Sequence, residues 1–275
     1  MAQTPWTSHR SRAVALCGRY PFAAELLTLY LALLDVWETG WELARAERPA
    51  PRKLAAWATE RILPGVVTAT GAAGPPPLAA ATRDLSTVEG VLAAWLAGGA
   101  LDPVERYLAR ASLCAPLVAL GADAGQACAD DPAPRDERHC PHCGGLPQLS
   151  FRGDAGDRLV SGRRYLVCAR CGHRWSYSAS ACPCCGETSG GRRTVYAERR
   201  EGPVVGRADG DADADATFPH LRIDSCAGCG RYLIDVDVGR DAGAVPEVDE
   251  LAAVPLDLYA AERGLSKVTP NLLGF

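Results

Sequence analysis

Four Cys-x-x-Cys pairs, each followed directly by glycine, constrain this chain more than anything else in it. They are Cys140-Pro141-His142-Cys143-Gly144, Cys168-Ala169-Arg170-Cys171-Gly172, Cys182-Pro183-Cys184-Cys185-Gly186 and Cys226-Ala227-Gly228-Cys229-Gly230. Two cysteines at this spacing can aim both sulfurs at one cation, and the glycine can take the positive φ that the tight turn needs. One such pair can be a redox couple. Four of them, each with its glycine, predict two four-cysteine metal sites.

The flanks suggest how the pairs combine. The first and third have proline after the leading cysteine. The second and fourth follow the strand-like runs 164–167 and 220–223 and precede an aromatic residue, Trp175 or Tyr232. The stretch thus reads as one unit written twice. Cys140, Cys143, Cys168 and Cys171 then hold one metal, and Cys182, Cys185, Cys226 and Cys229 the other. A nested arrangement, with a ribbon hairpin between Cys171 and Cys182, is the open rival. Each unit is too small for a core of its own, so the metal should supply much of its folding free energy, on the order of 10 kcal/mol for zinc. Four thiolates suit zinc or a single iron, and ligand type alone leans to zinc. Cys184, inside the third pair, reads as a spectator thiol. His142 and His173 read as polar turn-tip residues.

Residues 1–121 read as helical. Leu26, Leu29, Tyr30, Leu33, Leu34, Trp37 and Trp41 recur at helical steps after Pro21. A second helix is expected over 52–63, stopped by Pro64-Gly65, with a loop over 71–77. Ser86 and Glu89 have capping-box spacing for a helix through Leu96, and Asp102-Pro103 opens another towards Gly121 with a kink expected at Pro116. Cys17 and Cys114 read as small hydrophobes. Residues 122–139 read as a linker. Hairpins are expected between the cysteine pairs, the first with a turn over 153–156 and a strand at Leu159-Val160. The acidic run 209–215 reads as a loop tip. A strand over 232–238 leads to a helix over 249–264 that Pro255 can interrupt, and the apolar tail 269–275 should dock on the body.

The fold class is therefore α+β, with three expected segments. These are an N-terminal helical bundle (1–134), a first rubredoxin- or zinc-ribbon-like four-cysteine module (135–180), and a second with a C-terminal helix (181–275). The net charge of −4 argues against a nucleic-acid-binding protein. A basic group, Arg163, Arg164, Arg170, Arg174, Arg192, Arg193, Arg199 and Arg200, nevertheless suits an acidic partner or nucleic acid. Residues 1–12 lack the apolar core of a secretory leader, and the most apolar run (22–37) is broken by Glu25 and Asp35. A cytoplasmic protein without membrane insertion is expected.

These residues resemble the formate dehydrogenase accessory protein FdhE family. The likeness rests on the four cysteine motifs with their flanks, including Arg164-Tyr165-Leu166-Val167, Trp175, Ser225 and Tyr232-Leu233-Ile234. It continues through 248–252 and Leu256-Asp257. It is tight from His139 onward and looser over the helical half. The resemblance implies a non-catalytic, cytoplasmic maturation factor that binds the catalytic subunit of a formate dehydrogenase. It also implies two rubredoxin-type iron ions, held by the same eight cysteines, with zinc as a substitute. The rival functions are a rubredoxin-like redox carrier and a nucleic-acid-binding zinc ribbon.

Overall fold

The computed structural model describes residues 4–84, 90–132, 134, 136–153, 162–198 and 216–274. The helical half contains α1 (Thr7–Arg19), α2 (Ala24–Glu47), α3 (Leu54–Arg61), α4 (Leu63–Ala73), α5 (Pro76–Asp84), α6 (Val91–Leu96), α7 (Pro103–Leu120) and the short α8 (Ala124–Ala127). Helix α2 is its centre and packs against α1, α4 and α7. Its buried face carries Leu27, Leu29, Tyr30, Leu33, Leu34 and Trp37. Gly40 lies on that face because a Cβ there would sit 2.9 Å from the Ile62 side chain.

Proline placement accounts for two differences from expectation. The helix expected over 52–63 ends at Arg61, ahead of Pro64, but a new one starts at once: Pro64 lies in the first turn of α4, where an N–H has no intrahelical partner to lose. The loop expected over 71–77 shrinks in the same way, since α4 continues to Ala73 and α5 starts at Pro76. Helix α7 has the expected start, with Asp102 and Glu105 forming a capping box, and it runs through Pro116. The capping pair Ser86 and Glu89 lies outside the described residues, and α6 instead starts after Gly90 at φ +86°. The 122–139 stretch is not merely a linker: it holds α8 and the fully buried Cys128.

The second half is built on one sheet. Its strands are β1 (Pro147–Arg152), β2 (Arg164–Cys168), β3 (Arg174–Ser176), β4 (Arg193–Ala197), β5 (Leu221–Cys226), β6 (Arg231–Asp237) and β7 (Ser266–Lys267). The order is β3-β2-β1-β6-β5-β4, with β7 alongside β6. Neighbours β1 and β2 are antiparallel, as are β5 and β6. The two cysteine units meet where β1 and β6 pair in parallel, Ser150 opposite Asp235. Both units thus belong to a continuous sheet.

Helices α9 (Pro246–Ala252) and α10 (Val254–Glu262) replace the single helix expected over 249–264. The chain breaks at Ala253, with Pro255 in the first turn of α10. Helix α9 touches β1 and β6 on one side and α1 and α2 on the other. One apolar core therefore runs from Leu33 and Leu108 through Cys143 and Ile234 to Leu251. The tail docks as expected: Asn271 is buried, and the carbonyl of Pro270 accepts from Arg110 at 2.6 Å. The expected turn over 153–156, the strand at Leu159-Val160 and the acidic run 209–215 lie outside the described residues, Gly153 excepted. Among the described residues no helix is long and apolar enough to cross a membrane.

Candidate metal centres

Each Cys-x-x-Cys-Gly segment closes the same turn. The glycine N–H donates to the carbonyl of the first cysteine: Gly144 to Cys140 at 2.8 Å, Gly172 to Cys168 at 3.1 Å, Gly186 to Cys182 at 2.9 Å and Gly230 to Cys226 at 2.8 Å. All four glycines have positive φ, between 66° and 77°. Backbone N–H groups also point at sulfur. Gly145 donates to Cys143 Sγ at 3.4 Å, Arg170 to Cys168 Sγ at 3.3 Å and Cys184 to Cys182 Sγ at 3.4 Å. Such donors favour thiolate over thiol.

The eight cysteines converge in two groups, divided as the tandem reading divides them: Cys140, Cys143, Cys168 and Cys171, then Cys182, Cys185, Cys226 and Cys229. In the first, Sγ of Cys140 lies 3.6 Å from that of Cys171, and Cys143 lies 3.4 Å from Cys168. In the second, Cys182–Cys229 is 3.8 Å and Cys185–Cys226 is 3.9 Å. A tetrahedron with metal–sulfur bonds of about 2.3 Å has edges of about 3.8 Å. The donor set therefore fits a soft tetrahedral cation, and all eight cysteines are free of disulfides.

Electrostatics around the first group is uneven. Hydrogen bonds from Cys128, and then from Cys140 and Cys168, hold Cys143 well below the ordinary thiol range. Burial pushes Cys168 up, and hydrogen bonds to Cys140 and Cys143 push Cys171 up. A cation binding here displaces the remaining protons, so its affinity falls with pH.

Two residues beside this group escaped the sequence reading. Cys128, outside any Cys-x-x-Cys pair, is fully buried with its thiol hydrogen-bonded to Cys143. Arg170, read as part of a basic surface, instead binds the first unit to the helical half. It pairs with Asp131 at 2.7 Å, donates to the Cys143 carbonyl at 3.1 Å and lies over the Trp95 ring at 5.6 Å. Their nearest sequence signal is the single Cys128 followed by the acidic pair Asp130-Asp131, shortly before Cys140. Most of the basic group is paired with acids of the same chain, Arg164 and Arg193 in the interior and Arg174 and Arg192 at the surface. Arg164 and Arg193 pair with Asp224, Arg174 with Glu247 and Arg192 with Glu187. Arg199 and Arg200 lie outside the described residues. His142 and His173 stack on each other at 3.5 Å and stand outside the sulfur group, as expected of turn-tip residues. A third donor cluster, His220, Asp241 and Asp249, already has its cation: Arg12 pairs with Asp241 at 2.7 Å and chelates Asp249.

Residues 139–178 match the central domain of FdhE. A protein FdhE homolog of Aquifex aeolicus is 29% identical over 139 residues, half of this chain and 42% of the relative. One from Pseudomonas putida is 30% identical over 134 residues, 49% of this chain and 37% of the relative. The match thus spans less than half the length of these relatives. The crystal structure of the FdhE protein from Pseudomonas aeruginosa superposes with a TM-score of 0.63 at 22% identity, over 98% of this chain and 94% of that one, and shares the fold. By its cysteine motifs, its matched central domain and these relatives, the chain is similar to FdhE proteins over about half of its length.

Proposed function

We propose that this protein is an accessory factor for formate dehydrogenase maturation, built around two tetrahedral metal centres, and that it docks on the catalytic subunit in the cytoplasm. The observation that carries this reading is the pair of closed sulfur quartets. Among the described residues each groups four thiols with no fifth donor in the group, which suits a centre that holds a metal ion better than one that binds substrate on it. Cys140, Cys143, Cys168 and Cys171 would hold the first ion, and Cys182, Cys185, Cys226 and Cys229 the second. Rubredoxin-type iron is the ion the family resemblance favours, with zinc as the substitute the same donors accept. A bound iron would supply a one-electron couple; the chain's own residues position the thiolates and donate N–H groups to them.

The test is anaerobic purification followed by metal analysis, absorbance spectroscopy and co-purification with a formate dehydrogenase catalytic subunit. Two iron ions per chain with thiolate-to-iron charge-transfer bands are expected, together with association that Cys→Ser replacement in either quartet weakens. A colourless chain holding only zinc would remove the iron assignment. Absence of association in both oxidised and reduced protein would overturn the accessory role.

A further inference from the structure

The two quartets have the same donors but different exposure. In the first, Cys140, Cys143, Cys168 and Cys171 are 1%, 0%, 3% and 7% exposed. The helical half covers them. Gly125 of α8 sits so close to the knuckle that a Cβ would lie 2.3 Å from the His142 carbonyl, Cys128 hydrogen-bonds Cys143, and Arg170 is fixed by Asp131 and Trp95. In the second, Cys182 and Cys226 are buried at 2% and 1%, but Cys185 is exposed and Cys229 half-buried. Cys184, a ninth sulfur with partial exposure, adjoins Cys185 in the same turn. Its carbonyl accepts from Arg138 at 2.9 Å and its N–H donates to Cys182 Sγ, so the segment that presents it is anchored at both backbone groups.

Replacement of a thiolate on a tetrahedral cation proceeds most readily when an incoming sulfur reaches the site before the outgoing one has left. Access to solvent and the surrounding shell control that step. The first quartet gives solvent and an outside thiol no approach, its neighbouring Cys128 thiol being buried with it, and the second is open at Cys185. We propose that the second quartet is an exchange site, which passes a soft divalent cation to or from a thiol-bearing acceptor through Cys185. Cys184 serves there as the incoming sulfur, and the first quartet is a locked structural centre. In the exchange the Cys184 thiol gives up its proton as its sulfur binds the cation, the Cys185–metal bond breaks with the departing sulfur keeping its electron pair and taking up a proton, and no oxidation occurs. This inference rests on the reading that both quartets bind metal.

The experiment uses the full chain loaded with two equivalents of cobalt(II), whose thiolate bands report each ion, and an excess of a chromogenic chelator. Two release phases of one ion each are expected, with rates roughly tenfold or more apart. Cys226→Ser should abolish the fast phase and leave the slow one. Cys184→Ser should slow the fast phase without changing its amplitude. Limited alkylation with iodoacetamide, mapped by mass spectrometry, should mark Cys184 and Cys185 well before Cys140, Cys143, Cys168 or Cys171. Release of both ions in a single phase, or a fast phase that survives Cys226→Ser, would overturn the assignment. An unchanged fast rate in Cys184→Ser would remove Cys184 from it. A chain that takes up no cobalt would instead overturn the metal-centre reading on which it rests.

Discussion

Arg164 at the start of β2 reaches Asp224 in β5 at 2.7 Å, with side chains 0% and 3% exposed, although β1 and β6 lie between their strands. The pair joins the first cysteine unit to the second, and two more contacts reinforce it. Arg164 also donates to the Ala181 carbonyl, and Arg193 of β4 pairs with the same Asp224. Removing one member of a buried ion pair strands the other, at a cost of about 3–5 kcal/mol. Arg193 remains to serve Asp224, so Arg164→Met should destabilise the fold by about 3 kcal/mol. The double variant Arg164→Met with Asp224→Leu should cost less than the two single changes summed. Denaturant unfolding of the four proteins checks this coupling.

Two glycines separate backbone strain from sulfur crowding. Gly264, which follows α10 at φ +70°, has nothing within 4 Å of a built Cβ. Gly264→Ala should therefore cost about 1–2 kcal/mol, from the left-handed backbone alone, with metal binding intact. At Gly145 a Cβ would lie 2.9 Å from Cys168 Sγ and 3.3 Å from Cys143 Sγ. Gly145→Ala should weaken metal binding at the first quartet roughly tenfold or more while sparing the second. Competition titration with a chelator distinguishes the two outcomes.

The contrast between those glycines also shows what local sequence encodes. The Cys-x-x-Cys-Gly turn is local, so the four positive-φ glycines and the convergence of Cys140 with Cys171 could be anticipated from spacing and flanks. The parallel joint of β1 and β6 could not, because its register, Ser150 opposite Asp235, is set by residues far apart in the chain. The arginines misled for the same reason. Arg164 and Arg170 look like surface charge until Asp224 and Asp131 are brought to them. Pro64 and Pro76 each lie in the opening turn of a helix, where the sequence predicts a stop and a loop over 71–77, because sequence alone does not say on which side of a proline a helix begins. Cys128 lacks a spacing signature; only packing places its thiol on Cys143.

Asp235 gives the sheet a defined response to acid. Burial alone would raise its pKa, but Arg222 and Arg152, at 2.8 and 2.9 Å, and the Ser150 hydroxyl, at 2.6 Å, hold it at about 2. A carboxyl with a depressed folded pKa stabilises the fold above its unfolded value and loses that contribution as pH falls through the folded one. The contribution is about 2 kcal/mol, present above about pH 4 and lost towards about pH 2. Asp235→Asn should be less stable than the parent by about 2 kcal/mol or more at neutral pH, and this gap should narrow as pH falls below about 4. Chemical unfolding across that range tests the sign: a gap that widens with acid would contradict it.

Arg110 of α7 ties the helical half to the sheet and to the tail. It donates to the Gln148 side chain at 2.5 Å and to the Pro270 carbonyl at 2.6 Å. Gln148 in turn donates to Glu250, which pairs with Lys267, and Lys267 meets Asp257 at 3.1 Å. The two cations and two carboxylates of this buried chain balance. Burial lowers the Arg110 pKa to about 10, which leaves it charged at neutral pH. Arg110→Met removes one cation from the balance and strands the Gln148 and Pro270 acceptors, at a cost of about 3 kcal/mol. The half-exposed Arg10, paired with Asp35 and Glu38 at the surface, provides the contrast, since Arg10→Met should cost no more than about 1 kcal/mol. Amide hydrogen exchange should localise the difference. In Arg110→Met, Asn271 to Gly274 and α9 should exchange faster than in the parent, while in Arg10→Met both should match it. Unchanged exchange in the tail of Arg110→Met would mean that the tail is held by its β7 pairing and apolar contacts instead.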